Sequence, residues 1–297
     1  MSFNQEFKER TNEAENIIKE FLPKEEGLQK IICEAMNYSV LGGGKRLRPV
    51  MMKATYELFG GNGEVIKPFM AAIEMIHTYS LVHDDLPAMD NDDLRRGRAT
   101  THVKYNEALA ILAGDGLLNY AFETATLAFD YDEDSKLVAK ALKILGRKAG
   151  IYGMIGGQTV DIEAEAGNQT MDEETLMFIH KNKTAALIES SMMIGAVLAG
   201  ASEEEVELVE RIAYNIGIAF QIQDDILDVI GSEEVLGKPI GSDAKNEKLT
   251  YVSLKGLDKA KEDVEKISGE AIAAIKKFER NEHFLSELAN YLIDREK

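Results

Sequence analysis

Residues 220–231 read FQIQDDILDVIG, an apolar stretch that carries three aspartates, Asp224, Asp225 and Asp228. At 3.6 residues per turn, Asp224 and Asp228 project from nearly the same face of a helix, one turn apart. Isoleucine and leucine fill the positions between them, and the helical pattern continues on both sides. This continuation disfavours the alternative, a helix end with exposed acids. The stretch is therefore predicted to lie inside a long helix, with its acidic groups beside the core.

The same helical period extends over most of the chain. No segment shows sustained period-two alternation, and no β-α-β rhythm is present. None of the breaks resembles a flexible interdomain linker, and no repeat occurs at a fixed period. We therefore predict an all-α fold with a single domain over residues 1–297, in which lateral packing stabilises the helices. Long helices are predicted over residues 69–85, 105–129, 136–157, 172–200, 203–230 and 258–292, with breaks at 42–44, 60–63, 87–98, 166–170 and 231–248.

Composition and charge disfavour several classes of protein. A formal net charge of −18 on 297 residues disfavours nucleic acid as a partner, because phosphate backbones are bound by clustered Lys and Arg. The most apolar window, residues 185–201, contains Glu189 and is shorter than the roughly 20 residues of a membrane span. The single cysteine, Cys33, excludes an internal disulfide framework, and the charged N-terminus lacks the apolar segment of a signal peptide. A cytoplasmic protein without a membrane span is expected.

A second acidic stretch, residues 81–97, reads LVHDDLPAMDNDDLRRG and packs five aspartates into ten positions. Carboxylates this close repel one another, and some would bind protons unless a cation is present. Mg²⁺ prefers oxygen ligands, typically one or two carboxylates together with phosphate oxygens and waters. Neither acidic stretch has the loop, central glycine and terminal glutamate of an EF-hand. We therefore expect Mg²⁺ that bridges the carboxylates to a bound anion.

Three groups of basic residues are candidates to bind that anion. The first follows a glycine turn in the segment LGGGKRLRP, where backbone N–H groups can surround a phosphate. Taken alone this segment is a weak signal, and a loop with solvated charges is an equal alternative. The second group consists of two arginines after the first acidic stretch, whose planar guanidinium groups suit phosphate oxygens. The groups are Lys45, Arg46 and Arg48; Arg95 and Arg96; and Lys238 and Lys248.

These segments together resemble a known family. The motifs GGGKRLRP, DDLPAMD, KNKT and DDILD occur in this order, as in trans-prenyltransferases of the short-chain polyprenyl diphosphate synthase type. The motifs extend from Lys45 to Tyr251, and the DD-x4-D spacing resembles the bacterial and plastid branch of the family. The resemblance implies a bundle of long helices around a deep central cavity, across which the two acidic motifs face each other. It also implies three Mg²⁺ ions per active site and a homodimer.

In this family the acidic motifs bind Mg²⁺ that holds the diphosphate of an allylic substrate. Asp84 and Asp90 are six positions apart, so a continuous helix would point them in different directions. Pro87 is predicted to end the regular helix and to let the chain bulge, which returns Asp90 to the metal. The resemblance implies metal binding by Asp84 and Asp90 with Asp85 in support, and by Asp224 with Asp225 and Asp228 in support.

The resemblance also implies two diphosphate sites and a reaction. The allylic diphosphate ionises, the alkene of isopentenyl diphosphate attacks the allylic cation, and a proton is lost; no side-chain general base is evident. The matching positions are Lys45, Arg48, His77 and Arg96 for isopentenyl diphosphate; Arg95, Lys183 and Lys238 for the allylic diphosphate, with Lys248 as a further basic residue; and Lys183, Thr184 and Gln221 around the reacting carbon. The remaining histidines, His83, His102, His180 and His283, are expected to be structural.

Product length is expected to depend on the residues that precede Asp84. Tyr79 and Ser80 lie five and four positions before it, where an aromatic residue followed by a small one accompanies the fifteen-carbon farnesyl diphosphate in this family. We therefore expect dimethylallyl and geranyl diphosphate as substrates and farnesyl diphosphate as product, with a geranylgeranyl diphosphate synthase as the alternative. A class I terpene cyclase is disfavoured because the chain has no Trp and 7% aromatic residues. A non-enzymatic regulatory subunit is disfavoured because both acidic motifs are intact.

Overall fold

The computed structural model describes residues 2–131, 134–230, 249–280 and 282–293; the break predicted at 231–248, with Lys238 and Lys248, lies outside these ranges. The described chain is helical apart from loops and one short β ribbon, which confirms the all-α fold, and none of its helices is long and apolar enough to cross a membrane. The helices are α1 (Phe3–Glu20), α2 (Lys30–Val40), α3 (Leu47–Leu58), α4 (Ile66–Asp84), α5 (Thr101–Lys104), α6 (Glu107–Thr126), α7 (Ser135–Ala149), α8 (Met154–Glu165), α9 (Glu173–Ile179), α10 (Ala186–Leu198), α11 (Glu203–Ile230), α12 (Tyr251–Lys255), α13 (Leu257–Lys276) and α14 (His283–Ile293). A 3₁₀ turn (Leu127–Asp130) follows α6, and a π-helical turn (His180–Ala185) joins α9 to α10.

Two helices form the centre of the bundle. All 13 residues of α10 are buried, and α4 is buried on most sides, with Phe69, Ile73 and Ile76 fully inaccessible. A helix that is apolar all round belongs in the interior, where burying each large side chain contributes about 1.5–3 kcal/mol. Helix α4 packs against α6 and α3, and α10 packs against α3, α7 and α11. The helix that carries the first acidic motif is therefore held by neighbours on several sides.

Helix α11 begins at Glu203 and ends at Ile230, the bounds that its apolar period predicts. Ile218, Ile222 and Ile226 are buried and belong to a second apolar cluster that includes side chains of α9 and α13. These isoleucines recur every four residues and so occupy one face of the helix. Burial of that face fixes the rotation of α11 about its axis, and with it the directions of the three aspartates.

Two of the predicted long helices are wrong in extent. The segment 136–157 forms two helices, because Gly150 and Gly153 turn the chain between α7 and α8. A Cβ at Gly153 would overlap the carbonyl of Lys148, so only glycine allows this close approach. The segment 258–292 is likewise divided, into α13 and α14.

The two strands of the described chain begin within the break predicted at 87–98, and the second ends one residue beyond it. Strands β1 (Leu94–Arg95) and β2 (Arg98–Ala99) pair antiparallel. The turn between them places Arg96 and Gly97 at positive φ values of 54° and 74°. Two-residue strands are too short for period-two alternation to be visible in the sequence. The ribbon therefore places Arg95 and Arg96, two of the candidate basic residues, near the end of α4.

Candidate active site

The first acidic motif lies where α4 ends. Asp84 is the last residue of the helix, and Asp85 caps it. The chain then curls back, so that the backbone N–H of Asp90 donates to the carbonyl of Asp84 at 2.8 Å. Asn91 completes the curl with a positive φ of 53°, which asparagine tolerates better than most residues. The bulge predicted from Pro87 is confirmed, and Asp84 and Asp90 are neighbours despite their spacing.

The Asp84 carboxylate has a polar partner on another helix. Gln158 Nε2 of α8 donates to Asp84 Oδ1 at 2.6 Å. Burial raises the pKa of Asp84 to about 6. The positive charge of Lys183 lowers this pKa in part, and the carboxylate of Asp90 raises it further. A carboxylate that binds a proton this readily gains from a bound cation, which favours its charged form. The raised pKa therefore fits a metal-binding role.

Asp85 has a different partner. Its side chain is buried, and Arg95 Nε donates to its two carboxylate oxygens at 2.7 and 3.0 Å. Burial raises the pKa of Asp85, and the hydrogen bond from the Arg95 guanidinium opposes that rise. Arg95 Nη2 also contacts Asp85 Oδ1, so two nitrogens of the guanidinium bind one carboxylate, and a bidentate pair of this kind fixes the plane of the guanidinium as well as its position. Asp85 thus orients Arg95, a residue expected to hold the allylic diphosphate.

The residues expected to bind isopentenyl diphosphate are brought together in part. Arg96 Nη1 donates to the carbonyl of Gly43, so Arg96 lies against the glycine turn. Arg48 and His77 both lie on the wall of one cavity beside the end of α4. Burial, together with the charges of Arg48 and Arg96, lowers the pKa of His77 well below its usual value, so its imidazole is neutral. Lys45 lies farther out, with Nζ 5.7 Å from the centroid of an aromatic ring on α14.

Arg46, the middle basic residue of GGGKRLRP, turns inward. Its Nη1 lies 2.7 Å from Glu74 Oε1, and both side chains are at most 4% exposed. Its Nη2 donates to the carbonyl of Val40 at 2.8 Å, and its own backbone has a left-handed φ of 50° just before α3. The buried ion pair therefore anchors the glycine turn to α4 at Glu74, which lies one helical turn before His77.

A first cavity of ≈ 530 Å³ lies beside the end of α4. It combines polar residues of the expected site with apolar side chains of α6, α8 and α10, which suits a ligand with a charged head and a hydrocarbon tail. The Tyr79 side chain is buried, and burial raises the pKa of its hydroxyl to about 12, so it stays neutral. The expected residues on the wall are Arg48, His77, Tyr79, Ser80, Asp84, Lys183 and Thr184, beside the apolar Met89, Leu118, Met154, Ile155, Ile162 and Leu187.

A second cavity of ≈ 500 Å³ adjoins the first, and Lys183 lines both. Asp225 is on its wall, where the first backbone N–H of α12 donates to Asp225 Oδ2 at 2.6 Å. Gln221 lines the same cavity, and its Nε2 donates to Asp224 Oδ2 at 3.3 Å. Asp228, one turn beyond Asp224, is buried. The two acidic motifs thus border adjoining compartments of the bundle that meet at Lys183.

Helix α8 lines both cavities, and two of its polar residues, which the motifs above do not include, form hydrogen bonds with residues of the site. Gln158 bonds the first acidic motif, and Asp161 Oδ2 accepts a hydrogen bond of 2.6 Å from Lys183 Nζ. The two residues are three positions apart and share a helix face. A Cβ at Gly157 would overlap the backbone nitrogen of Lys183, so this glycine sets the approach of α8 to the π-helical turn. The available signal was the polar spacing within GGQTVD on an otherwise apolar segment.

The acidic residues fit Mg²⁺ that is shared with a diphosphate. In the ranges that the structure describes, no group of three or more His, Cys, Asp or Glu side chains is arranged to hold a metal ion unaided. Mg²⁺ accepts one or two carboxylates when phosphate oxygens and waters complete its coordination. Asp84 on the wall of the first cavity and Asp225 on the wall of the second offer ligands of this type, and Asp90 lies next to Asp84 through its backbone hydrogen bond.

The chain is similar to known proteins over almost all of its length. The Polyprenyl synthetase family matches residues 29–291. A geranylgeranyl diphosphate synthase from Cyanophora paradoxa is 43% identical over 288 residues, 97% of this chain and 94% of that protein. A farnesyl diphosphate synthase from Geobacillus stearothermophilus is 44% identical over 262 residues, 88% of this chain and 87% of that protein. The crystal structure of a Helicobacter pylori geranyltransferase complexed with magnesium and isoprenyl diphosphate has a TM-score of 0.83 at 33% identity, covering 99% of this chain and 97% of that one. The chain belongs to the polyprenyl synthetase family and is a short-chain prenyltransferase.

Proposed function

We propose that the chain condenses isopentenyl diphosphate with dimethylallyl and then geranyl diphosphate, and that its main product is (2E,6E)-farnesyl diphosphate. The observation that carries this proposal is the first cavity, where the acidic residue Asp84, an apolar wall and the Tyr79 ring meet. A prenyl diphosphate needs surroundings of both kinds at the same time. The relatives include synthases of farnesyl and of geranylgeranyl diphosphate. The twenty-carbon product is therefore the second candidate.

Mg²⁺ is used in this family, and three ions per active site are proposed for this chain. When bound, Mg²⁺ compensates the negative charge that develops on a departing diphosphate. Asp84, Asp90 and Asp224 are proposed as ligands because their carboxylate oxygens are the type that Mg²⁺ prefers. The raised pKa of Asp84, about 6 through burial, supports this assignment. Asp225 and Asp228 are proposed to support the second set.

Arg95 and Lys183 are proposed to donate hydrogen bonds to the leaving diphosphate. Each is held by a carboxylate of the protein, Arg95 by Asp85 at 2.7 Å and Lys183 by Asp161 at 2.6 Å. Donors fixed in this way need little reorganisation when negative charge develops on the leaving group. The allylic carbon–oxygen bond breaks, the electron pair stays with the diphosphate, and the hydrocarbon becomes an allylic cation.

The allylic cation requires surroundings that keep water away. Leu118, Met154 and Leu187 offer an apolar wall on the first cavity. The hydroxyl of Thr184 and the amide oxygen of Gln221 are proposed to face the positive carbon. The alkene of isopentenyl diphosphate then forms the new carbon–carbon bond, and the released diphosphate takes the proton that is lost.

Isopentenyl diphosphate is proposed to bind Lys45, Arg48 and Arg96 without a metal ion. His77 complements these cations because burial and the neighbouring arginines keep it neutral. A neutral imidazole can donate one hydrogen bond to the diphosphate without adding charge to a crowded basic site.

A single domain over residues 1–297 and a homodimer are further parts of the proposal. Five apolar side chains on α6 and near the start of α8 are 36–72% exposed, and exposed apolar surface of this kind is typical of protein interfaces. The five side chains are Ile111, Leu112, Ile151, Tyr152 and Ile155. Sedimentation at micromolar concentration tests the dimer, and a monomer mass would contradict it.

A cytoplasmic location is proposed on the basis of the sole cysteine, Cys33, which is free and buried.

Product analysis tests the proposed reaction. The protein is incubated with isopentenyl and dimethylallyl diphosphate plus Mg²⁺, and the dephosphorylated products are separated by chromatography. The expected main product has fifteen carbons, whereas a twenty-carbon product would favour the second candidate. Tyr79→Ala should lengthen the product because it removes the ring from the cavity wall. Tyr131→Ala, at a tyrosine that is 54% exposed, is the matched control and should leave the product unchanged.

A further inference from the structure

His83 lies beside Tyr79 on the wall of the first cavity. The two residues are four positions apart on α4 and so share a face of the helix. Their rings meet edge to face, with centroids 5.8 Å apart and an interplanar angle of 78°, a favourable aromatic arrangement. The buried Tyr79 hydroxyl has no hydrogen-bond partner among the described residues. Packing, rather than a polar contact, therefore sets the position of the Tyr79 ring.

Helix α6 holds His83 from the other side. His83 Nε2 lies 3.1 Å from the carbonyl oxygen of Ile111 and 3.9 Å from Asp115 Oδ1. The ring reaches this position because Gly114 has no side chain, since a Cβ there would overlap His83 Nε2 and Cδ2. Glycine is unfavourable inside a helix, so a specific packing need accounts for its presence. Gly114 forms a notch in α6 that seats the His83 ring.

We propose that His83 is a positioning residue for product length: seated in the Gly114 notch, it holds the Tyr79 ring across the path of the growing prenyl chain. The proposal rests on the proposed function, because it takes Tyr79 as the floor of the cavity. Without the His83 ring, the Tyr79 side chain can turn into the vacated space and adopt another rotamer. The fifteen-carbon limit then depends on three residues from two helices rather than on one aromatic residue.

Product analysis of matched variants tests this role. His83→Ala is expected to raise the share of twenty-carbon product about tenfold, because small changes in a hydrophobic pocket change discrimination by about this factor. The double variant Tyr79→Ala/His83→Ala should give the same products as Tyr79→Ala alone, because His83 acts only through Tyr79. His102→Ala is the control: this half-buried histidine bonds Thr100 Oγ1 at 3.1 Å and should leave the products unchanged.

The outcomes separate this inference from the proposed function. If Tyr79→Ala still yields fifteen carbons, the floor and the role of His83 are both wrong. If Tyr79→Ala lengthens the product and His83→Ala does not, the floor stands and the role of His83 is wrong. A longer product from the double variant than from Tyr79→Ala would make His83 an independent part of the wall, which also contradicts the inference.

Gly114→Ala tests the same contact from α6. It should lengthen the product because the added methyl group displaces the His83 ring. Gly116→Ala is the matched control, since its Cβ would meet only the flexible end of Met36. Circular dichroism and thermal unfolding establish that each variant is folded. A folded Gly114→Ala variant with unchanged products would contradict the proposal that the Gly114 notch holds the His83 ring.

Because His83 precedes Asp84 in the chain, the Mg²⁺ concentration for half-maximal activity is also measured. It should be unchanged in His83→Ala; a shift without longer product would overturn the positioning role.

Discussion

The two acidic motifs are built in different ways. In the first, a loop after α4 curls back to bring Asp90 to Asp84, through a backbone hydrogen bond of 2.8 Å, and Asp85 is paired with an arginine of the β ribbon. In the second, the period of the uninterrupted helix α11 alone places Asp224 and Asp228 one turn apart. The first motif therefore depends on side chains and turns from several elements. The second depends chiefly on which face of one helix is buried, with a backbone N–H of α12 on Asp225 as a contact from another element.

The two cavities differ in the polarity of the side chains that line them. The first is lined largely by apolar side chains such as Leu118 and Met154, whereas Asp161, Gln221 and Asp225 line the second. Lys183 belongs to both. This division suits a substrate whose hydrocarbon tail occupies the first cavity while its diphosphate reaches Lys183 and the acidic residues beyond it.

The largest effect is expected when either acidic motif loses charge. Asp84→Asn and Asp224→Asn should each lower turnover about 10³-fold, the scale on which charge-stabilising groups act in enzymes. Far-ultraviolet circular dichroism should be unchanged, and radiolabelled isopentenyl diphosphate measures the turnover. Asp258→Asn, in the first turn of α13, is the control and should retain activity. Near-normal activity in one of the two variants would show that only the other motif carries the metal-binding role.

The helices that carry the motifs also differ in how they are stabilised. Glu74→Gln leaves the buried Arg46 guanidinium without a full counter-charge and should lower the free energy of unfolding by about 3 kcal/mol. Ile222→Val removes one methyl group from the apolar face of α11 and should cost about 1 kcal/mol. Denaturant unfolding measures both. Equal losses would mean that the ion pair is no more important to α4 than ordinary packing is to α11.

Lys183 offers a test of the junction between the cavities. Lys183→Gln should lower turnover about 10²-fold, because one fixed donor to the leaving diphosphate is lost. Asp161→Asn, which removes the 2.6 Å partner of this ammonium and leaves the donor in place, should have a smaller effect. Steady-state kinetics with geranyl diphosphate measures both variants. A larger loss from Asp161→Asn than from Lys183→Gln would assign the main role to the carboxylate.

The smallest effect concerns pH in the absence of metal. The pKa of Asp84 is raised on folding from 3.8 to about 6, so the folded protein holds this proton more tightly than the unfolded chain does. Ionised Asp84 therefore opposes folding above pH 6, and this destabilisation is relieved as the pH falls toward about 4. With EDTA present, Asp84→Asn should unfold at a higher temperature than the unaltered protein at about pH 7.5. The difference should shrink toward about pH 4.5, and a difference that does not depend on pH would contradict the assigned cause.

Periodicity predicted much of the fold and missed its interruptions. Helix α11 was predicted with its bounds because one apolar face repeats along its whole length. The division between α7 and α8 was missed because Gly150 and Gly153 turn the chain without interrupting the apolar pattern. The close approach that requires Gly153 involves the carbonyl of Lys148, a backbone contact that no side-chain pattern records.

The site was predictable where local chemistry decides it. Pro87 indicated the bulge that returns Asp90 to Asp84, and the backbone hydrogen bond confirms it. By contrast, Arg46 and Arg48 are two positions apart in one motif, and the residue that turns inward is decided by Glu74 on another helix. Gln158 and Asp161 were missed for the same reason, because their partners come from α4 and the π-helical turn.

The π-helical turn over His180–Ala185 limits which insertions and deletions the chain tolerates. Such a turn accommodates an extra residue relative to an α-helical turn. Deleting one residue within the turn would let α9 run into α10 as a regular helix, with the segments on both sides keeping their relative orientation. The wholly buried helix α10 would keep its neighbours, but Lys183 and Thr184 belong to the turn itself and would lose the positions that the wider turn gives them on the cavity wall. The number of residues in this segment is therefore restricted independently of their identity.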